Sequence, residues 1–217
     1  MSLASDGFDA GSLSLPAIES GTSILLTGED SDALQSVFSR LVAADDDERS
    51  IVLSTGSGGR AVQRDLNSAR TGAGSRASVL TCEGPASGDD IQSVDDISDL
   101  TRLGMDFSTL VASAQQHSDR FRSGIMLCST IAGEVDDTRS LYRFLNSNFL
   151  SELRRGDGIG VCALDTSADI GADMDSTIKG LQTSFKAHVD VEKTGPGKAT
   201  LTVDGLDGSD ETVEVSL

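Results

Sequence analysis

The sequence contains no tryptophan and very little tyrosine, lysine, proline, cysteine or histidine. Its 217 residues include one tyrosine, four lysines, three prolines, three cysteines and two histidines. A structural metal site needs a cluster of cysteine and histidine ligands, and this chain has no such cluster, so we expect no metal cofactor.

The three cysteines, Cys82, Cys128 and Cys162, form no CxxC pair. Each falls in a short apolar run that predicts a strand. We therefore expect them to be small buried apolar residues.

Long apolar runs are also absent. No stretch approaches the roughly 20 apolar residues that a membrane-spanning helix needs. The first residues lack the basic and apolar regions of a signal peptide. These patterns predict a cytoplasmic protein without membrane contacts.

Acidic residues dominate the charge. There are 35 acidic residues, 26 of them aspartate, against 17 basic residues, which gives a net charge of -18. This composition resembles that of proteins from salt-in halophiles, especially haloarchaea, in which molar salt shortens the Debye length to about 3 Å and screens the self-repulsion. The alternative is an acidic surface that recognises a basic partner. A field of this sign repels polyanions, so we expect no nucleic-acid partner.

Hydrophobic patterning predicts one α/β domain at 23–217, preceded by a Gly-, Ser- and Asp-rich lead-in segment at 1–22. Apolar strand-like runs alternate with amphipathic helical patterns, which is typical of βαβ units and a mainly parallel sheet covered on both faces. The predicted strands are 23–27, 50–54, 77–82, 124–129 and 158–164.

The clearest helix spans about 138–154, with Asp136 and Asp137 at its start and Arg154, Arg155 and Gly156 at its end. One predicted buried stripe follows helical spacing: Leu141, Phe144, Leu145, Phe149 and Leu153. The acidic stretch 83–99 has little periodicity and predicts a surface excursion. The C-terminal stretches 187–193, 198–205 and 211–217 alternate with period two and predict an antiparallel meander at one edge of the sheet.

This order of elements resembles the RecA-like core of KaiC- and RadA-type ATPases. The segment "SGIMLCSTIAGEVDDTRSLYRFLNSNFLSELRRGDGIGVCALDTSAD", residues 123–169, and "DLTRLGMDFSTLV", residues 99–111, are similar to segments of haloarchaeal KaiC-like proteins. The resemblance implies a RecA-like three-layer sandwich. It also implies that an active member would bind nucleotide in the loop of "SILLTGEDSDALQSVF", residues 23–38.

The phosphate loop of that family is G-x-x-x-x-G-K-[ST], in which the Lys reaches the terminal phosphates and the hydroxyl binds magnesium. If Gly28 is the first glycine, the second glycine, the lysine and the hydroxyl residue are replaced by Ala33, Leu34 and Gln35. Three carboxylates, on Glu29, Asp30 and Asp32, lie where phosphates would bind, and no neighbouring cation in the sequence offsets them. We expect Asp30 or Ser31 to cap the following helix.

Two further ATPase positions are altered. The Walker B aspartate aligns with Cys128, or with Ser129 if the register shifts by one, and the catalytic glutamate after the second strand aligns with Ser54 and Thr55. Phosphoryl transfer depends on these groups. The sequence therefore predicts a pseudo-ATPase without a nucleotide cofactor.

Two weaker ligand sites are considered. The loop "STGSGGR", 54–60, places Ser57 and Arg60 where an anion could meet a helix start, although a solvated loop explains the same residues. Carboxylates of 134–137 and 165–169 could gather around a hydrated cation, although a solvated acidic rim is the alternative.

The sequence favours a non-catalytic binding or regulatory module that contacts a protein partner, a paralogue or further copies of itself. An atypical nucleotide-binding ATPase or sensor is one alternative. An accessory factor of recombination or repair is another.

Overall fold

A computed structural model describes residues 7–87, 89–135, 137–206 and 211–217. All nine strands in the described part of the chain belong to one sheet. They are β1 (Ser23–Gly28), β2 (Glu48–Ser54), β3 (Ala77–Thr81), β4 (Ile91–Ser93), β5 (Arg120–Met126), β6 (Asp157–Asp165), β7 (Ala187–Gly195), β8 (Lys198–Asp204) and β9 (Glu211–Ser216).

Seven α-helices accompany the sheet within the described ranges. They are α1 (Ser31–Val42), α2 (Gly59–Ala69), α3 (Leu100–Gln115), α4 (Cys128–Glu134), α5 (Thr138–Phe144), α6 (Leu150–Arg155) and α7 (Met174–Gln182). A π-helical turn, Leu145–Phe149, joins α5 to α6. None of the helices in these ranges is long and apolar enough to cross a membrane.

The strand order is β4-β3-β2-β5-β6-β1-β7-β8-β9. Neighbouring strands from β4 to β7 are parallel, whereas β8 and β9 are antiparallel to their neighbours. The predicted mainly parallel sheet with a C-terminal antiparallel meander is therefore confirmed.

Two apolar layers sandwich the sheet. Because successive side chains of a strand point to opposite faces, Ile24 and Leu26 pack on the side of α1 and α2, while Leu25 packs on the side of α3 to α7. This is the predicted three-layer RecA-like architecture. The amphipathic start of α1 is also confirmed, since its apolar positions Leu34, Val37, Phe38 and Leu41 are buried.

The helix predicted over 138–154 is present, with a π-helical turn in its middle. All five residues of the predicted stripe are buried. The turn brings Asn148 against Gly104 of α3, where a Cβ atom would lie 2.4 Å from the Asn148 side-chain nitrogen. Asp137 caps α5, and Asp136 lies outside the described residues.

Two local predictions are wrong, and one short strand was missed. The strand predicted at 124–129 ends at Met126, because Leu127 adopts the left-handed conformation (φ 60°) and Cys128 begins α4. Cys82 lies just after β3, so only Cys162 of the three cysteines is in a strand. The stretch 83–99 contains β4, a short parallel edge strand.

The lead-in segment supplies core side chains from Phe8 onward. Phe8, Leu13 and Ile18 are fully or almost fully buried, and Phe8 and Ile18 form a β-bridge. The Phe8 ring lies 4.3 Å from the Arg120 guanidinium carbon and 5.4 Å from that of Arg122. Residues 1–6 lie outside the described part, and the boundary at residue 22 stays a prediction.

A buried ion pair lies beneath this segment. Arg122 is fully buried, and its Nε donates to Glu48 Oε2 over 2.5 Å. Its Nη1 donates to the carbonyl oxygens of Asp9 and Leu41, over 2.8 and 3.0 Å. The lead-in segment is thus hydrogen-bonded to the amino-terminal ends of β2 and β5.

Candidate functional site

The carboxyl ends of the parallel strands meet at one edge of the sheet, which is where open α/β sheets bind ligands. The loops after β1 and β6 are in contact there. Ser31 Oγ donates to Asp165 Oδ2 over 2.6 Å, and the Thr166 amide donates to the Gly28 carbonyl oxygen over 2.9 Å. The structure therefore brings together two of the predicted loops.

The connection from β1 to α1 is only two residues long, Glu29 and Asp30. Asp30 is the N-cap of α1, as predicted, and its Oδ1 accepts the Ala33 amide over 2.9 Å. An N-terminal amide of a helix is the kind of donor that a phosphate would use. In this protein that amide donates to the chain's own carboxylate.

The three residues that the sequence aligns with phosphate-loop ligands are engaged in internal contacts. Ala33 and Leu34 are fully buried in the core. Gln35 donates from its side-chain nitrogen to Asp65 Oδ2 on α2, over 2.6 Å. Gly28 serves strand packing, because a Cβ atom at this position would lie 2.6 Å from the Val191 carbonyl oxygen of β7.

Sequence reasoning missed a cation at this loop. Lys193 of β7 places its Nζ 2.7 Å from Asp30 Oδ2, so the expectation that no cation offsets the carboxylates is wrong. The hydrogen bond from Lys193, followed by that from the Ala33 amide, lowers the pKa of Asp30 below its usual value. The lysine is 163 residues away from Asp30 in the sequence, and only the parallel pairing of β1 with β7 could have indicated the contact.

Asp165 is the second carboxylate of this edge. Its Oδ1 accepts the Ser167 amide and hydroxyl over 2.9 and 2.6 Å, in addition to the bond from Ser31. Partial burial raises the pKa of this group, but these hydrogen bonds outweigh burial and lower the pKa. Asp165 is therefore an ionised, internally satisfied group.

Cys128, which the sequence aligns with the Walker B aspartate, carries a buried thiol. Cys128 is fully buried at the first turn of α4. Hydrogen bonding to Cys128, together with complete burial, raises the pKa of the Cys162 thiol. Sulfur atoms in an apolar layer are not the oxygen ligands that Mg²⁺ prefers.

Hydroxyl groups at the carboxyl end of β2 form hydrogen bonds to backbone carbonyl oxygens. Thr55 Oγ1 lies 3.0 Å from the carbonyl oxygens of Met126 and Leu127. Ser54 Oγ and Thr81 Oγ1 each donate to the Ser57 carbonyl oxygen over 2.9 Å. These bonds fix the loop after β2 to the ends of β3 and β5.

The predicted anion residues, Ser57 and Arg60, do not converge. The Ser57 carbonyl group is used in the bonds just described. Arg60 is exposed and donates to Ser87 Oγ over 2.8 Å, in a groove between α2 and β4. The acidic rim is also dispersed, and within the described ranges there is no group of three or more His, Cys, Asp or Glu side chains arranged to hold a metal.

A polar chain beside β1 was also missed from the sequence. His188 Nε2 lies 2.8 Å from Thr27 Oγ1, and Thr27 donates to Asp190 Oδ1 over 2.5 Å. Gln182 Nε2 lies 2.9 Å from His188 Nδ1. Burial lowers the pKa of His188, against the opposing effect of the Asp190 and Asp204 carboxylates. Thr27 is 1% exposed. These hydrogen bonds therefore join β1 to β7 beneath the loop that follows β1.

Comparison with known proteins identifies the fold. The solved structure of the KaiC-like protein PH0186 from the hyperthermophilic archaeon Pyrococcus horikoshii OT3 aligns with a TM-score of 0.58, over 95% of this chain and 97% of that one. Sequence identity is 13%, so the likeness shows a RecA-like fold alone. None of the curated proteins matches the sequence. A family model of unknown function, DUF7504, matches residues 21–191, and the chain therefore belongs to this family.

Proposed function

We propose that this chain is a RecA/KaiC-like module of a halophilic archaeon that does not hydrolyse ATP and acts through protein contacts. The observation that carries the proposal is the position of Asp30. Its carboxylate accepts the Ala33 amide at the start of α1 and pairs with Lys193. An internal anion and its counter-ion thus fill the place of a phosphate and its lysine.

The surrounding charge also supports the proposal. Four exposed carboxylates flank the loop and β7: Glu29, Asp32, Asp190 and Glu192. Like charges about 4 Å apart repel by about 1 kcal/mol in bulk water. A nucleoside triphosphate would be repelled by these carboxylates, and Lys193, the neighbouring cation, is already paired with Asp30.

The ends of β5 and β2 give independent support. Cys128 and Thr55, which the sequence resemblance aligns with the magnesium ligand and the catalytic glutamate, are both buried. A nucleotide that did bind here would lack the metal ligand and the water-positioning group that phosphoryl transfer uses.

Calorimetric titration of the full chain with ATP and ADP in molar KCl, with and without magnesium, tests the proposal. We expect no saturable heat. Binding tighter than about 100 µM that Lys193→Met or Arg60→Ala weakens would establish the atypical nucleotide sensor instead. Lys198→Met, an exposed lysine on the adjacent strand, is the matched control.

The recombination accessory role makes a separate prediction. It requires the chain to associate with DNA or with a recombinase at native salt. If such a partner co-purifies with the chain, and substitutions at the carboxyl edge of the sheet prevent this, the accessory role in recombination would be supported in place of the more general proposal.

A further inference from the structure

A groove of about 730 Å³ lies on the helical layer formed by α3 to α6. One wall is the first half of α3, and the other is formed by the end of α4, by Val135 and Asp137, and by α5 with the π-helical turn. Its apolar lining consists of Leu100, Met105, Val135 and Phe144. The groove is open to solvent and is separate from the end of β1.

Met105 is the notable side chain of this groove. It is 66% exposed, whereas the apolar residues on the other side of α3, Leu103 and Phe107, are fully buried. Together with the partly exposed Leu100 and Val135, it forms a small apolar surface in the groove. A methionine is well suited to such a surface because its flexible thioether adapts to the shape of a partner.

Carboxylates surround the apolar lining. Asp99, Glu134 and Asp137 line the groove, with Arg143 as its basic residue. Asp99 and Asp137 are held in place, because each caps a helix by accepting a backbone amide, from Arg102 over 3.0 Å and from Arg139 over 2.9 Å. A bound segment would therefore meet fixed negative charge beside an apolar surface.

These features select the chemistry of the occupant. An apolar side chain is needed against Met105, and basic side chains are needed against the carboxylates. A second copy of this chain is a poor candidate, since it has four lysines and a net charge of -18. DNA and RNA are repelled for the same reason.

We propose that this groove binds a basic amphipathic helical segment of a partner protein. The inference rests on the proposed function and names the surface through which the module acts. Molar salt screens charges that are more than about 3 Å apart, so the carboxylates act on basic side chains only at contact distance, while burial of the apolar lining adds to the affinity. Helix-in-groove recognition of this type uses apolar anchors spaced along one helical face.

The test uses an 18-residue amphipathic peptide of leucine and lysine. One matched peptide replaces lysine by glutamate, and another scrambles the order so that no apolar face forms. Binding to the full chain is measured by fluorescence anisotropy and by the NMR signal of the [¹³C]methyl group of Met105. We expect a Kd below about 100 µM for the first peptide only, with a shift of the Met105 signal.

Two substitutions locate the site. Met105→Ser and Glu134→Lys should each weaken binding at least tenfold, while Glu211→Lys, on the exposed edge strand β9, should leave it unchanged. Because Met105 and Glu134 are exposed, both variants should retain the native melting curve. Glu134 is preferred over Asp99 and Asp137 because it caps no helix.

Four outcomes would overturn the inference: no binding at about 1 mM, equal binding to Met105→Ser, equal binding of a matched peptide, or a concentration-dependent dimer that Met105→Ser abolishes. The nucleotide titration keeps the two proposals apart. If neither the peptide nor the nucleotides bind, the groove inference fails and the non-catalytic assignment stands. If ATP binds more tightly than about 100 µM and Lys193→Met or Arg60→Ala weakens that binding, the assignment fails whatever the peptide does.

Discussion

Lys193 Nζ lies 2.7 Å from Asp30 Oδ2 and thereby joins β7 to the loop after β1. The two residues are neighbours because β1 and β7 pair in parallel, with Gly28 opposite Val191. The carboxylate in turn binds the Ala33 amide at the start of α1. A strand, a loop and a helix are thus held by one ionised group.

Removing the lysine should change the titration of the aspartate. Because the hydrogen bond from Lys193 is the largest cause of the lowered Asp30 pKa, Lys193→Met should raise that pKa towards its ordinary value. NMR titration of the Asp30 carboxyl carbon measures the change. Lys198→Met should leave it unaltered, and an unmoved Asp30 pKa in Lys193→Met would show that the ion pair is not formed in solution.

The same pair predicts a pH dependence of stability. Since the folded-state pKa of Asp30 lies below the unfolded value of about 3.9, its contribution is fully present above that value. It is lost as the pH falls through the folded-state pKa. Stability profiles of the parent and Lys193→Met should therefore converge at the acidic end, and parallel curves throughout would contradict the assignment.

The buried ion pair should be costly to break. Glu48→Ala leaves Arg122 buried without its carboxylate, and such changes cost about 3–5 kcal/mol. Urea unfolding in KCl measures the free energy of unfolding. As a control, Asp157→Asn removes the charge of a half-exposed partner of Arg120 and should lower the free energy of unfolding by less than about 1 kcal/mol. If the two variants lose similar amounts of stability, the buried pair has no special role.

Gly124 should tolerate no side chain. A Cβ atom there would lie 2.4 Å from Phe38 Cζ and 3.0 Å from Val42 Cγ2 on α1. Overpacking of this type costs about 1–3 kcal/mol, so Gly124→Ala should lower the thermal midpoint. The control is Gly195→Ala, whose Cβ lies in open space, so this variant should change the free energy of unfolding by less than about 1 kcal/mol. If Gly124→Ala is equally neutral, α1 must be able to move away from β5.

Thiol reactivity should separate Cys82 from an ordinary surface cysteine. Burial, helped by the Glu83 charge, raises the pKa of Cys82 to about 11. At pH 8 its thiolate fraction is then roughly 100-fold below that of an ordinary thiol. Reaction with Ellman's reagent should be correspondingly slow in the native state and rapid for all three cysteines in urea. A fast single-thiol phase in the native protein would contradict this environment.

Sequence patterns predicted features that depend on neighbouring residues. The stripe of Leu141 and Phe144 and the Asp30 cap follow from helical spacing and from local hydrogen bonding. The five central strands were found because each is a short apolar run. These signals lie within a few residues of the structure that they specify.

The missed features depend on distant or weakly patterned residues. The contacts of Lys193 with Asp30 and of His188 with Thr27 arise from strand order, which a single sequence does not encode locally. β4 has three residues and no alternation that distinguishes it from a loop. The end of β5 was displaced because Leu127 adopts a conformation that a leucine rarely takes.

The position of β1 also constrains how the chain can fold during synthesis. Its neighbours are β6 and β7, which end at Asp165 and Gly195. At translation rates of about 5–20 residues per second, β1 waits roughly 7–27 s before the whole of β6 has been made. An apolar strand with both edges unpaired is prone to aggregate over such an interval, so the acidic residues that follow it have a second use in keeping the nascent chain soluble.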